Sequence, residues 1–284
     1  QFEALAHWSP KRDSIKWLRV AFTAPTAAGT APHYELQFGP KVKAAQVGTP
    51  VQVTDGISEV TVDTGAITLR ISKTRVGIFS EVVRNKKGPV ASGVVYKAAP
   101  DDGPYVIDQV GAVFRASLDD EPPVVTVEET GPVRAVVRVE AWHVRDPSSG
   151  SKGASSVAAL MDKEAGPPTA QRLNKSVLRY YAYAGQSWVQ LDWTFIVTTD
   201  TDAVRFKDIG LRMTGSGSAR IGLDGGQEAT LTDGYLLQKK ADAYVVRQKQ
   251  GQSYAETSRV SKAPGWIATD SFSLTMRDFW QMFP

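Results

Sequence analysis

The 284-residue chain has no cysteine. Disulfides, thiolate metal sites and cysteine nucleophiles are therefore excluded. Its three histidines, His7, His33 and His143, lie too far apart to form a ligand-spaced pair. No apolar run approaches the roughly 20 residues of a membrane-crossing helix, so no membrane span is expected. Lys and Arg number 33 against 30 Asp and Glu, a formal net charge of +3. The basic residues are scattered without interleaved aromatics, which argues against a nucleic-acid partner. Helical periodicity is scarce and no repeat of fixed period is present. GSGSARIGLDGG is glycine-rich but lacks both the Walker lysine and the dinucleotide spacing, and there is no G-x-S-x-G elbow. Asp101-Asp102 and Asp119-Asp120-Glu121 sit in Gly/Pro-rich loops and read as solvated turns. A calcium site is the alternative, without a motif behind it. No cofactor and no metal-ligand set is identified. Asn174-Lys175-Ser176 is a formal glycosylation sequon.

Strand periodicity is what the chain has instead. Val189, Leu191, Trp193, Phe195 and Val197 alternate with Gln190, Asp192, Thr194 and Thr198, the period-two pattern of a half-buried strand. VLRYYAYAG precedes it and closes on a hairpin turn at Ala184-Gly185-Gln186-Ser187. A turn at Thr199-Asp200-Thr201-Asp202 and a further strand region, VRFKDIGLRM, follow it. Together Leu173 to Thr214 reads as a three-strand meander at the centre of a large antiparallel sheet. The second strongest signal is VVTVEETGPVRAVVRVEAWHVRD. There Val133, Ala135, Val137, Val139, Ala141 and His143 share one face, while Arg134, Val136, Arg138, Glu140, Trp142 and Val144 share the other.

Shorter strands are expected at FEALAHW, IKWLRVAFTA and YELQFGP. More follow in VQVTDGISEVTVDTGAITLRIS, with its turn at Asp63-Thr64-Gly65, and in the final third: ARIGLDGG, EATLTDGYLLQKK, AYVVRQKQG and WIATDSFSLTMRDFW. A turn is expected at Asn85-Lys86-Lys87-Gly88. Many short strands with regular turns argue an all-β fold, a large antiparallel β-sandwich resembling a supersandwich. Small residues, Gly48 and Pro50 mark a linker to a second unit, which divides the chain into 1–47 and a sandwich at 48–284. Residues 146–172, rich in Ser, Gly, Ala and Pro, are expected to form a long loop with a helical turn at VAALMDKEA. The aromatic run RDFWQMFP reads as an entrance to further structure, so the chain is expected to be mature or partial. A terminal segment folded back on its own core is the alternative.

Candidate site residues are few. His143 continues an apolar parity yet lies at a strand end beside Trp142 and Arg145. It is either a core-edge histidine bonded to a carbonyl or a sugar contact and proton donor at a cleft rim. Trp142, Trp188 and Trp193 could stack on sugar rings. Trp193 has core parity, which leaves Trp142 and Trp188 as the better candidates.

Several segments, in order along the chain, resemble one family. HWSPKRDSIKWLRVAF, ETGPVRAVVRVEAWHV, RYYAYAGQSWVQLDWTFIVTTD, FKDIGLRM and RDFWQMFP are similar to runs of the rhamnogalacturonan exolyase-like proteins. Pro10-Lys11-Arg12-Asp13-Ser14 departs from the tighter Asp-Gly-Ser turn of that family. The resemblance implies a central β-sandwich, an incomplete N-terminal β domain before it, and an (α/α) toroid beyond Pro284. It implies β-elimination from a uronate: a base takes the C5 proton, the carboxylate is neutralised, and an acid protonates the leaving O4. His143 and Tyr105 are the weak catalytic candidates, and Trp142, Arg145 and Trp188 the substrate-binding ones. The expected partners are a polysaccharide or oligosaccharide and the protein's own helical domain. The expected location is secreted, periplasmic or at the cell surface. The competing reading is a non-catalytic carbohydrate-binding or surface-assembly module.

Overall fold

Alternating apolar residues produce sheets throughout the computed structural model, which describes residues 1–11, 14–24, 33–43, 46–85, 92–149 and 172–282. It divides into two compact units, Gln1–Met213 and Thr214–Pro284. In the first, β1 (Phe2–His7) and β2 (Ile15–Val20) pair as a hairpin. A five-stranded antiparallel sheet follows in chain order: β3 (Gln52–Asp55), β4 (Glu59–Asp63), β5 (Ile67–Ser72), β6 (Glu81–Arg84) and β7 (Gly93–Lys97). The larger sheet contains β8 (Gly103–Asp108), β9 (Val113–Arg115), β10 (Val124–Thr130), β11 (Arg134–Arg145), β12 (Arg172–Tyr183), β13 (Val189–Ile196) and β14 (Phe206–Arg212). Its order is β13-β12-β11-β9-β8-β14, with β10 also paired to β11.

The parity read from the sequence becomes the sandwich core. Val60, Val62, Leu69 and Ile71 are buried in the five-stranded sheet; Ala135, Val137, Val139, Leu178 and Tyr180 are buried in the seven-stranded one. The Phe79 ring lies 5.2 Å from Tyr180 and 6.4 Å from Tyr96, so one aromatic cluster joins the two sheets. Between them a cavity of about 10 Å³ lies beside Ile71, Gly77 and Val139, room for no more than one water.

The meander needs correction. β12 and β13 form the expected hairpin, with Gly185 in the left-handed region at φ 70°. β14, however, crosses to the opposite edge and pairs with β8. Alternation reports which face a strand buries, not which neighbour it bonds, and here the neighbour is distant in sequence. YELQFGP forms no strand; its residues from Tyr34 to Pro40 are exposed. The strands β7, β8 and β9 lie where the sequence signalled none. The helical turn at VAALMDKEA, most of the 146–172 loop and the turn at 86–88 lie outside the described residues, as do Arg12 and Asp13.

The 1–47 segment is tied into the first unit. Gln1 Oε1 accepts the backbone N–H groups of Val133 and Arg134 at 3.2 and 2.9 Å, and Arg19 bonds Glu129 at 2.5 Å. The division between the two compact units falls at 213/214.

The second unit comprises β15 (Ala219–Gly222), β16 (Glu228–Leu231), β17 (Gly234–Lys240), β18 (Ala243–Gln250), β19 (Ser253–Arg259), β20 (Trp266–Ala268) and β21 (Ser273–Thr275). They form a four-stranded sheet, β16-β15-β20-β21, and a three-stranded one, β17-β18-β19. Their shared core holds Ile221, Leu223, Leu231, Tyr244 and Val246, with Phe279 packed against it. β19 went unrecognised because SYAETSR is mostly exposed and nearly devoid of apolar alternation.

One bulge resets the facing of the start of β12. Trp142 pairs with Lys175 but His143 pairs with Leu173, so Asn174 is an extra residue. It sits at φ 58°, a conformation asparagine tolerates better than most residues. The added residue switches parity, so both Ser176 and Leu173 face the core. Asn174 Oδ1 accepts the N–H of Thr198 at 2.8 Å and the hydroxyl of Thr199 at 3.3 Å. Asn174 is fully buried, so the sequon is closed to a glycan in the folded chain. Asn174→Gly should keep the bulge and lose only those bonds. Asn174→Val adds backbone strain and should cost about 2–5 kcal/mol, measured as urea-unfolding free energy. Equal stability of the two variants would refute this role for the bulge.

Candidate functional site

The side chains of β11 and β12 divide between core and outer face, and this divides the sequence candidates. His143 is 0% exposed. Its Nδ1 lies 3.3 Å from the carbonyl of Asn174 and its Nε2 3.2 Å from Ser176 Oγ. The Trp193 indole N–H donates to the same Ser176 oxygen at 2.8 Å. These contacts form one consistent chain. Trp193 donates to Ser176, Ser176 donates to Nε2, and Nδ1–H donates to the carbonyl. It requires a neutral imidazole, and burial pushes the His143 pKa down to about 4. Of the two readings of His143, the structure has the histidine bonded to a carbonyl and not the cleft-rim contact; it belongs to the core, with Phe195 5.7 Å away. Arg145 pairs with the buried Phe114 and shares the core-side parity of His143. Its Nε is buried without a hydrogen-bond partner.

Trp142 faces the other way. The Lys175 ammonium lies 5.0 Å over its ring, so one of its faces is already taken. Trp188 stands at the β12–β13 turn, 52% exposed, with Tyr183 against it at 4.9 Å. Lys175 and Tyr183 are eight residues apart on one strand, about 26 Å at the usual rise. Trp142 and Trp188 therefore cannot share one sugar ring.

The outer face near Trp142 gathers further groups. Val144 pairs with both Arg172 and Arg115, and Arg115 pairs with Tyr105. Arg172 bonds Asp119 at 2.7 Å and Glu121 at 2.9 Å; Arg115 bonds Asp146 at 3.2 Å. The hydroxyl and backbone N–H of Ser148, with Arg115, hold Asp146 below the usual carboxylate range. Tyr105 lies across Gly210, where a Cβ would come within 2.6 Å of its hydroxyl. That hydroxyl donates to Asp208 at 3.0 Å. Burial first, then the Asp208 charge, raise the Tyr105 pKa, while Arg212 and Arg115 oppose the rise. At neutral pH Tyr105 is a protonated phenol, able to give a proton rather than take one.

The sequence thus marked Tyr105 and Trp142 on one face without Arg115, Arg172 and Asp208 around them. Pairing across five strands, β12-β11-β9-β8-β14, assembles these, and no local pattern announces it. The acid loops also differ from solvated turns. Asp102 is buried and accepts the Tyr96 hydroxyl at 2.6 Å, while Asp119 holds Arg172. Among the described residues no group of three His, Cys, Asp or Glu side chains could hold a metal ion, and no helix is long and apolar enough to cross a membrane.

The neutral state of His143 has a measurable consequence. Its folded pKa lies below the ordinary 6.5, so its contribution is complete above about pH 6.5 and is lost as pH falls toward 4. The full span is on the order of 3 kcal/mol. His143→Gln should lose this pH dependence relative to the parent chain, measured by urea unfolding between pH 7 and pH 4. Parallel profiles for the two proteins would refute a buried neutral imidazole.

A protein-family model described as "PcRGLX-like protein central beta sandwich domain" matches residues 51–220, more than half of the chain. No curated protein sequence matches it.

Proposed function

We propose a function from one premise: the chain belongs to the PcRGLX-like proteins, the rhamnogalacturonan exolyase-like family, and carries their central β-sandwich domain. The protein is the β-rich portion of a secreted or cell-surface polysaccharide lyase. It acts on pectic rhamnogalacturonan by β-elimination, together with a helical domain. The match over 51–220 carries this reading, because it covers most of the first unit and coincides with its two-sheet core. Within that unit, the Tyr105 phenol suits the acid that protonates the leaving oxygen, with Arg115 nearby for a substrate carboxylate. Trp188 is the aromatic best placed to stack on a sugar, since much of its surface is open to solvent.

One observation favours the second reading, a scaffold or carbohydrate-binding module without chemistry. Arg115 and Arg172 already carry carboxylate partners, and His143 is sealed in the core. A substrate uronate would have to displace Asp146 from Arg115, and no base stands beside Tyr105 among its described partners except Asp208.

Two measurements on rhamnogalacturonan oligosaccharides separate the readings: calorimetric binding and the ultraviolet absorbance of unsaturated product. The 284-residue chain should bind without turnover, and Trp188→Ala should weaken binding by about 2- to 10-fold. Turnover by this chain alone would refute the need for a helical domain. Absence of binding would leave the scaffold reading in place.

A further inference from the structure

The unit Thr214–Pro284 holds a concavity of about 430 Å³, lined by residues from Leu223 to Gln227 and from Ser261 to Trp266. These lie beyond the family match, which ends at residue 220. The volume falls within the roughly 300–1,000 Å³ of small-molecule sites. We propose that this concavity is a binding site for a carboxylate-bearing sugar ring, separate from the outer face of the sandwich.

Its charge supports an anion. The Asp224 carboxylate bonds Arg259 at 2.6 Å and also accepts the Tyr244 hydroxyl, so it is neutralised within the protein. Lys262 makes no ion pair among the described residues; its ammonium lies 3.7 Å over the ring of Trp280. With Asp224 paired to Arg259 outside the lining, the uncompensated charge among the lining residues is that of the exposed Lys262.

The remaining surface suits a sugar. Trp266 is half-buried because Gly222 admits it; a Cβ there would meet its indole nitrogen at 2.2 Å. This fixes an apolar wall for the C–H face of a ring. Gln227 gives its side-chain oxygen to Arg259 at 3.0 Å, which leaves the amide N–H groups for ligand hydroxyls. Gly225 and Gly226 keep the mouth free of side chains; no atom lies within 4 Å of a Cβ built at either.

Calorimetry on the full chain with trigalacturonate and with neutral galactotriose tests the site. The acidic trimer should bind at least about tenfold more tightly, and added salt should weaken it. Lys262→Gln should lower trigalacturonate affinity by about tenfold to a hundredfold with at most a small shift of the unfolding midpoint, since the exposed side chain gives up only its contact with the Trp280 ring. Equal affinity for both trimers, no binding of trigalacturonate, or an unchanged Lys262→Gln variant would each overturn the proposal. Binding that depends on Trp188 and not on Lys262 would sink this site while leaving the proposed function standing.

Discussion

The antiparallel pairing of β11 with β12 is the constraint on which the first unit depends. Twelve residues on each strand bond along their full length, interrupted by one bulge. Each inward side chain from Ala135 to Ala141 meets an inward partner between Ala182 and Ser176. The five-stranded sheet packs on this surface through Phe79 and Tyr180. Charged outward residues on these strands bond to one another and to the neighbouring β10. Arg138 reaches Glu140, Arg179 reaches Glu128, and Arg134 makes bonds of 2.8–3.0 Å to both Glu129 oxygens. The half-buried pairs Arg138–Glu140 and Arg179–Glu128 contribute modestly each, and the more buried Arg134–Glu129 pair is screened least. Their effect is to make part of the outer face polar, while Val136, Val144 and Val177 on that same face are buried.

The bulge at Asn174 turns that regular pair into something more specific. By inserting one residue it brings Leu173 into the core cluster with Phe114 and Val106. It also aims the Asn174 carbonyl at His143 Nδ1. A buried imidazole is costly when charged and stable when both nitrogens are bonded in the neutral form. His143 meets the second condition through Ser176 and the carbonyl. The residue that looked most reactive in the chain is thereby the one most fully occupied with holding it together.

On the outer face the same pairing places Tyr105, Arg115, Arg172 and Trp142 near one end of the sheet, each already engaged by a neighbour. A saccharide-processing role for this face depends on exchanging those internal partners for substrate. The concavity in the second unit differs in kind. Its acid is neutralised internally and its exposed lysine pairs with no carboxylate among the described residues, so an anionic ligand there displaces no internal ion pair.

Much of this was legible in one dimension. The all-β class, the inward parity of Val60, Val62, Leu69, Val137 and Val139, the hairpin at Gly185 and the family resemblance all follow from residue type and spacing. Side-chain direction alternates with period two whatever the partner strand is. What only the tertiary structure decided was adjacency. β14 pairs with β8 across the sheet, the 1–47 segment is held by Glu129 and by the backbone at Val133 and Arg134, and Asp208 meets Tyr105 from 103 residues away. The bulge, too, is invisible in the alternation, because LNKS reads as an ordinary strand until its partner strand shows one residue too many. Parity is a local property of the backbone, whereas register and partner choice arise from packing between segments far apart in the chain. The strands could therefore be read from the sequence, and the surroundings of His143, Tyr105 and Lys262 could not.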